Sequence, residues 1–318
     1  MSGRKIAYVT GCLGFIGQYV TRLLLKKGWY VRGVDKITYA ANIDLLKEFN
    51  EYDNFTFERS DICDLERLYD CDYIINMAAE THVDNSIVRS EEFVHSNING
   101  VHNLLELIRK RKHFKMPTLI HFSSDEVYGD IVGGAHTERD LLKPSNPYSA
   151  TKASADMLIK AWGRTYDVPS IIVRPTNNYG IGQYVEKLIP KVCKYLSIGR
   201  KIPMHENGEP IRNWLHAKDT ARAIEIILEK GAVGNIYNIS GDFEQANILT
   251  FEKILDIYFK GQISDANNFA DFTCERKGQD VRYSIDDSKI RDLGWAPVCN
   301  FDHELIKIVE YYKNKFVW

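Results

Sequence analysis

The chain has 318 residues, 44% of them apolar and 26% charged, the balance of a folded globular protein with a full hydrophobic core. Its 41 basic and 43 acidic residues leave a formal net charge of −2. That excludes the strongly basic surface by which proteins hold nucleic acid or an anionic membrane, while small anionic molecules need only local positive charge.

The first half alternates short β-rich runs with longer helical patterns. Strands are predicted over residues 5–10, 30–35, 55–59, 73–77, 119–123 and 170–174. Between them fall helices over 15–27, 91–111 and 148–166, the second carrying Phe93, Ile98, Val101, Leu104, Leu105 and Ile108 at helical spacing. This alternation predicts an α/β, Rossmann-type doubly wound parallel sheet. In the second half Gly and Pro break the rhythm. Helices are predicted over 185–198, 217–230, 250–259, 286–293 and 303–313, with one strand over 235–239. A smaller mixed α/β C-terminal substrate lobe follows. Residues 1–175 form the dinucleotide-binding domain, completed by part of 213–240, and residues 176–318 form the lobe.

No apolar run approaches the ~20 residues of a membrane span. The opening Met1-Ser2-Gly3-Arg4-Lys5 leads into a short strand instead of a signal sequence. The six cysteines (Cys12, Cys63, Cys71, Cys193, Cys274 and Cys299) form no CxxC pair, which favours free thiols in a reducing compartment. A cytoplasmic protein is expected. No His/Asp/Glu cluster has metal-ligand spacing, so no metal is expected.

Gly11-Cys12-Leu13-Gly14-Phe15-Ile16-Gly17 joins the first strand to the first helix. Glycines there permit a tight turn and close approach of backbone to a pyrophosphate, which the helix N-terminus attracts. The spacing is GxxGxxG, and Asp35 ends the second strand. A carboxylate at that place accepts from an adenosine ribose diol and repels a 2′-phosphate, favouring NAD over NADP. Lys36 follows it. Asp61-Ile62 and Ala78-Ala79-Glu80 follow the third and fourth strands, the first to border an adenine, the second to leave room for a cofactor.

Ser123 and Ser124 end the fifth strand, and Tyr148 and Lys152 share one face of the next helix at i and i+4. A free phenol, with pKa ~10, is a poor base at neutral pH. A nearby ammonium and a nicotinamide cation would favour the phenolate, so Tyr148 could take a proton from a substrate hydroxyl. Simple oxidation needs nothing more, yet Asp125 and Glu126 stand directly beside Ser124.

With these motifs in place the chain resembles the nucleoside-diphosphate-glucose 4,6-dehydratases of the extended short-chain dehydrogenase/reductases. The likeness includes the glycine motif, residues 35–40, and Ala78-Ala79-Glu80-Thr81-His82-Val83-Asp84-Asn85-Ser86. It continues through Ser124-Asp125-Glu126-Val127-Tyr128-Gly129, Asn177-Asn178-Tyr179-Gly180, Glu186-Lys187-Leu188-Ile189-Pro190, Arg212-Asn213-Trp214-Leu215 and Asp280-Val281-Arg282-Tyr283. The 4-epimerases of the superfamily usually carry uncharged residues in place of Asp125-Glu126. Decarboxylases and GDP-mannose dehydratases typically keep the glutamate and replace the aspartate by serine.

The resemblance implies oxidation at C4 of a hexose, elimination of water across C5–C6, and return of the hydrogen to C6. Glu126 would take the C5 proton, acidified by the C4 ketone, and Asp125 would protonate the departing C6 hydroxyl. Such acid–base assistance contributes ~10²–10⁴ in rate, and it requires that the two carboxyl pKa values be separated. It also requires a turn, because neighbours on an extended segment point apart. Ser124 stands where the family has threonine, and the lost methyl is expected to loosen its orientation.

By the same resemblance Ser96, Ser123, Tyr148, Lys152 and Asn178 join the glycine turn, Asp35, Lys36, Asp61, Ile62, Ala78, Ala79 and Glu80 at the cofactor. His82, Ser124, Asn177, Lys187, Leu188, Arg212, Asn247, Arg276 and Gln279 meet the nucleotide sugar. Lys277 and Gln279 replace a proline and a histidine found in many relatives, leaving dTDP, UDP and GDP open, as is an N-acetylated hexose. A homodimer through a four-helix interface is implied. A non-catalytic NAD-sensing protein on the same fold would need only the glycine motif and Asp35; retention of the full constellation argues against it.

Overall fold

The computed structural model describes residues 4–111, 113–262 and 265–315, so Met1–Gly3 of the opening segment lie outside the described residues. Its centre is a seven-stranded parallel sheet: β1 (Ile6–Thr10), β2 (Tyr30–Asp35), β3 (Phe55–Arg59), β4 (Tyr73–Asn76), β5 (Thr118–Phe122), β6 (Ser170–Pro175) and, from the second half of the chain, β10 (Ile236–Ile239). The strand order is β3-β2-β1-β4-β5-β6-β10. The chain thus reverses direction between β1 and β4, and the crevice beyond the carboxyl ends of those strands is where such sheets bind ligands.

The strands read as near-continuous apolar runs because helices bury both faces. Side chains alternate between faces with period two. Val9, Val31, Ile75, Ile120 and Val173 join Val20, Leu24, Ile224 and Ile227 of helices Phe15–Lys26 and Ala217–Lys230. Tyr8, Ile74, Leu119 and Ile172 join Leu104, Leu105 and Ile108 of Gly100–Arg109 and Ala155 and Ile159 of Pro147–Tyr166. Each such aliphatic side chain contributes roughly 1.5–3 kcal/mol of burial.

The remaining strands are short. β7 (Asn177–Tyr179), β9 (Ile211–His216) and β11 (Glu244–Ala246) form a mixed three-stranded sheet, and β8 (Ile202–Pro203) pairs with β12 (Ala270–Asp271). A separate core of Ile189, Val192, Phe251, Ile254, Phe301, Leu305 and Ile308 packs the helices of this lobe. None of these five strands is predicted from sequence, because two to six residues between Gly and Pro give no period to read.

Two helices depart from prediction in ways that matter for the site. The run over 91–111 is not uniform: Ser90–Phe93 and Gly100–Arg109 flank a π-helical turn, Val94–Asn99. The wider turn places Ser96 on the cleft wall and buries Asn97 beside it. Asn97 Nδ2 donates to the Glu80 carbonyl at 3.0 Å and to Thr151 Oγ1 at 2.9 Å, tying the end of β4 to the catalytic helix. The lobe helix predicted from 185 begins at Leu188; residues 184–187 form a turn instead, with the Lys187 N–H donating to the Tyr184 carbonyl at 3.1 Å, and Tyr184, Glu186 and Lys187 line the cleft. Among the described residues no helix is long and apolar enough to cross a membrane.

Candidate functional site

The carboxyl ends of the sheet open into a cleft of about 420 Å³. Every residue named from sequence for cofactor or sugar lines it, from Gly11 to Gln279.

At the first turn, Gly11 has φ +68°, and a Cβ there would meet the Ala78 nitrogen at 2.8 Å. A Cβ on Gly17 would sit 1.9 Å from the Gly11 carbonyl oxygen. The glycines therefore serve close packing of turn, helix and β4 while leaving the cleft side bare. Helix Phe15–Lys26 starts at Gly14 with no side-chain cap, so its first N–H groups remain available to an anion. Asp35 accepts from the backbone N–H of Leu13 (3.1 Å) and Ile37 (2.8 Å), which fixes its carboxylate and leaves a second lone pair on each oxygen for a diol. Burial pushes its pKa up, against those two N–H groups and Lys36. A bare glycine cradle, free helix N–H groups and an oriented carboxylate fit NAD.

Lys36 is no solvated surface lysine. Its ammonium donates to Ser96 Oγ at 2.8 Å and lies 3.4 Å from both Asp61 and Glu80. The sequence shows no metal-ligand spacing, yet the fold brings Asp61, Cys63 and His95 within 4.8 Å of one another. Asp61 already faces the Lys36 cation there. Asn178, expected at the cofactor, spends its amide within the protein: Nδ2 donates to the Thr176 carbonyl (3.0 Å), and Oδ1 accepts from Thr220 Oγ1 (2.5 Å). It lines the cleft chiefly as a braced wall.

The turn demanded by adjacent Asp125 and Glu126 exists. β5 ends at Phe122, and a 3₁₀ turn, Asp125–Tyr128, follows at once. Ser124 caps it: its hydroxyl accepts from the Glu126 N–H and donates to Asp125 Oδ1, both at 3.2 Å. Two hydrogen bonds hold the serine side chain. Helix Pro147–Tyr166 begins with Asn146 as N-cap, its Oδ1 accepting from the Ser149 N–H at 2.9 Å, and this places Tyr148 in the first turn.

Asp125 is 3% exposed. Burial and then the neighbouring Glu126 charge push its pKa up to about 8, against the Ser124 hydrogen bond. Glu126 is also raised by burial, but Arg212 and Lys187 pull it back. Both carboxyls are thus raised by burial, and only Glu126 has two cations, Arg212 and Lys187, drawing it back toward the ionised form.

The phenol of Tyr148 is not lowered in the free protein: burial raises its pKa, Glu126 and Asp125 add to the rise, and the Ser124 hydroxyl opposes it. Lys152 directs its ammonium to the Phe122 carbonyl at 2.5 Å, and burial brings its pKa down to about 8 against the pull of Asp156. Asp156 in turn is held by Arg174, at 2.8 Å, with neither side chain exposed. Removing one member of such a buried pair costs about 3–5 kcal/mol.

On the lobe side, β9 carries Arg212, whose guanidinium donates to the Asp280 carbonyl (3.1 Å) and stacks 4.7 Å over Tyr283. Tyr283 donates to Asp280 Oδ2 and lies 3.4 Å from Glu126 Oε2. Lys187 reaches back to the Thr81 carbonyl at 2.9 Å, and His82 lies 3.5 Å from Asp84. Asn177 on β7, Leu188 and Asn247 at the starts of two helices, and Gln279 complete the wall. Sequence reasoning missed Asn146, Lys191, Asp280 and Tyr283 as cleft residues. Asn146-Pro147 is a helix-start signal that could have been read; Lys191 had none.

The family model described as GDP-mannose 4,6 dehydratase matches residues 8–308. The chain belongs to the 4,6-dehydratase family of extended short-chain dehydrogenase/reductases. It is 40% identical to the dTDP-glucose 4,6-dehydratase of Neisseria meningitidis serogroup B, over 99% of this chain and 95% of that one. It is 38% identical to Low-salt glycan biosynthesis protein Agl12 of Haloferax volcanii, over 96% and 97%. The dTDP-glucose 4,6-dehydratase DesIV of Streptomyces venezuelae, solved with NAD bound, superposes with a TM-score of 0.90 at 35% identity, covering 97% of each chain. In this chain the glycine turn with Asp35 and the adjacent Asp125 and Glu126 line one cleft.

Proposed function

We propose that this chain converts a nucleoside-diphosphate hexose, dTDP- or UDP-glucose, to its 4-keto-6-deoxy product, with NAD recycled in each turnover. The observation that carries the reading is Asp125, buried beside Glu126 on the turn that Ser124 caps, where burial and the Glu126 charge favour its protonated form. Relatives named for action on dTDP-glucose support the nucleotide class.

NAD, when bound, supplies the reversible redox partner for the C4 carbinol and places a positive ring charge in the cleft. Tyr148 takes the C4 hydroxyl proton, oriented with Ser124, and the added positive charge opposes the rise that burial imposes on the phenol. Lys152, fixed by the Phe122 carbonyl, holds its own charge beside the catalytic helix. Once C4 is a ketone the C5 proton is acidic and Glu126 removes it. Asp125 gives its proton to the C6 oxygen, so water leaves and a C5–C6 double bond forms. The C4-derived hydrogen then adds at C6 and a proton returns to C5, leaving no net redox change. Asp125 is buried and Glu126 half-buried, which limits the access of bulk water to these transfers.

Purified enzyme supplied with dTDP-, UDP- and GDP-glucose and with UDP-N-acetylglucosamine should turn one of the first two into a product lighter by one water, identified by mass and NMR. Steady accumulation of reduced cofactor would mark a plain dehydrogenase, and an epimer or pentose would mark a sister activity.

We further propose a cytoplasmic homodimer. The helices of residues 90–109 and Pro147–Tyr166 leave Val94, Met157 and Tyr166 41–49% exposed on one side of the sheet. Light scattering should give the mass of two chains; the mass of one would contradict this. All six cysteines are free, as a reducing compartment requires.

A further inference from the structure

The charges at the lobe end of the cleft do not pair off. Arg276 directs Nε and Nη2 at the Asp84 carboxylate, at 2.5 and 2.9 Å, and Nη1 at Gln279 Oε1, at 3.1 Å. Its fork is thus filled from within the chain, although an arginine here is the group expected to meet a diphosphate. Lys187 is likewise engaged with the Thr81 carbonyl.

Lys191 is different. It lies one helical turn beyond Lys187, is half-buried, and lines the same cleft. Among the described residues its ammonium makes no ion pair within 4.0 Å. The carboxylates whose charges act on it are Asp84, already committed to Arg276, and Glu186. Burial, with Arg276 and Lys187 nearby, pulls the Lys191 pKa down, and Asp84 and Glu186 only partly oppose this. A partly desolvated cation without a partner is costly, and an anion entering the cleft relieves that cost.

We propose that the diphosphate of the substrate is gripped by an exchange: Lys191 receives it, and Arg276 leaves Asp84 to complete the grip. Asp84 is then a placeholder anion. It holds the guanidinium until the ligand enters and competes with the ligand for it. Two negative charges on a diphosphate outbid one carboxylate for two cations, and Arg offers phosphate oxygens the same bidentate fork it offers Asp84. The inference rests on the reading above, that the substrate carries a nucleoside diphosphate.

The test is calorimetric binding of dTDP and UDP to the NAD-loaded enzyme. Lys191→Leu should weaken binding about 10-fold and Lys191→Arg should recover most of that loss, whereas Asp84→Asn should tighten binding about threefold or more. The two predicted shifts have opposite signs, which a general loss of structure cannot produce. Unchanged affinity in Lys191→Leu would overturn the inference. So would weaker binding in Asp84→Asn, which would make Asp84 a strut that orients Arg276. A wild-type enzyme that binds neither of these diphosphates nor GDP would overturn the inference together with the proposed function; normal wild-type binding with unshifted variants overturns the inference alone.

Discussion

Asp125→Asn should stop the loss of water while C4 oxidation continues. The amide fills the same buried space and can keep contact with Ser124, but it has no proton to give a departing hydroxide. Turnover should fall by about 10²–10⁴, the usual contribution of a general acid. Reduced cofactor should build up on the enzyme after a single addition of nucleotide hexose, seen as its near-ultraviolet absorbance. If the variant cannot reduce its cofactor at all, Asp125 has another role.

Proton linkage makes a second measurement on the same variant decisive. The folded-state pKa of Asp125 is raised to about 8, from ~3.9 in an unfolded chain. The native state therefore holds a proton that the unfolded state has released, and wild-type stability is lost as pH rises from the unfolded value through the folded one. Asparagine has no such dependence. The melting temperature of Asp125→Asn should match wild type near pH 4 and exceed it increasingly toward pH 8. Catalysis has the same sign: the acid is active while protonated, so the wild-type rate should fall as pH rises through about 8. A variant that is no more stable at pH 8 than at pH 4, relative to wild type, would contradict the electrostatic account.

Tyr148→Phe should act one step earlier. The phenol is 7% exposed and packs against Phe93 with ring centroids 6.4 Å apart, so phenylalanine keeps the packing and the helix start. What disappears is the base that accepts the C4 hydroxyl proton. A loss of about 10²–10⁴ is expected in the overall rate. In contrast to Asp125→Asn, no reduced cofactor should form, and NAD content should be unchanged. The double variant should behave as Tyr148→Phe alone, because the oxidation step comes first. Reduced cofactor in the double variant would place the oxidation elsewhere.

The parallel sheet was legible in the sequence because its strands are buried on both faces and separated by amphipathic helices, a pattern that repeats from β1 to β6. The dinucleotide turn and the Tyr148–Lys152 spacing were legible because both are local. What could not be read were contacts between distant segments. Asp84 was visible only as part of a motif; that it meets Arg276 depends on the fold. Lys191 reads as one more surface lysine until the lobe closes over it. The upward shift at Tyr148 escaped for the same reason, since burial and the carboxylates of a neighbouring turn set it. The π-turn at Val94–Asn99 left no sequence mark beyond Ser96-Asn97 standing where an apolar helix face would continue.

The central claim is that oxidation at C4 and reduction at C6 use one and the same hydrogen, with water lost between. A nucleotide hexose carrying deuterium at C4 tests it most directly. The account predicts a 4-keto-6-deoxy product with the deuterium at C6 and none left on the cofactor after turnover. A 4-keto-6-deoxy product without deuterium at C6, or deuterium left on the cofactor as net reduction, would contradict it.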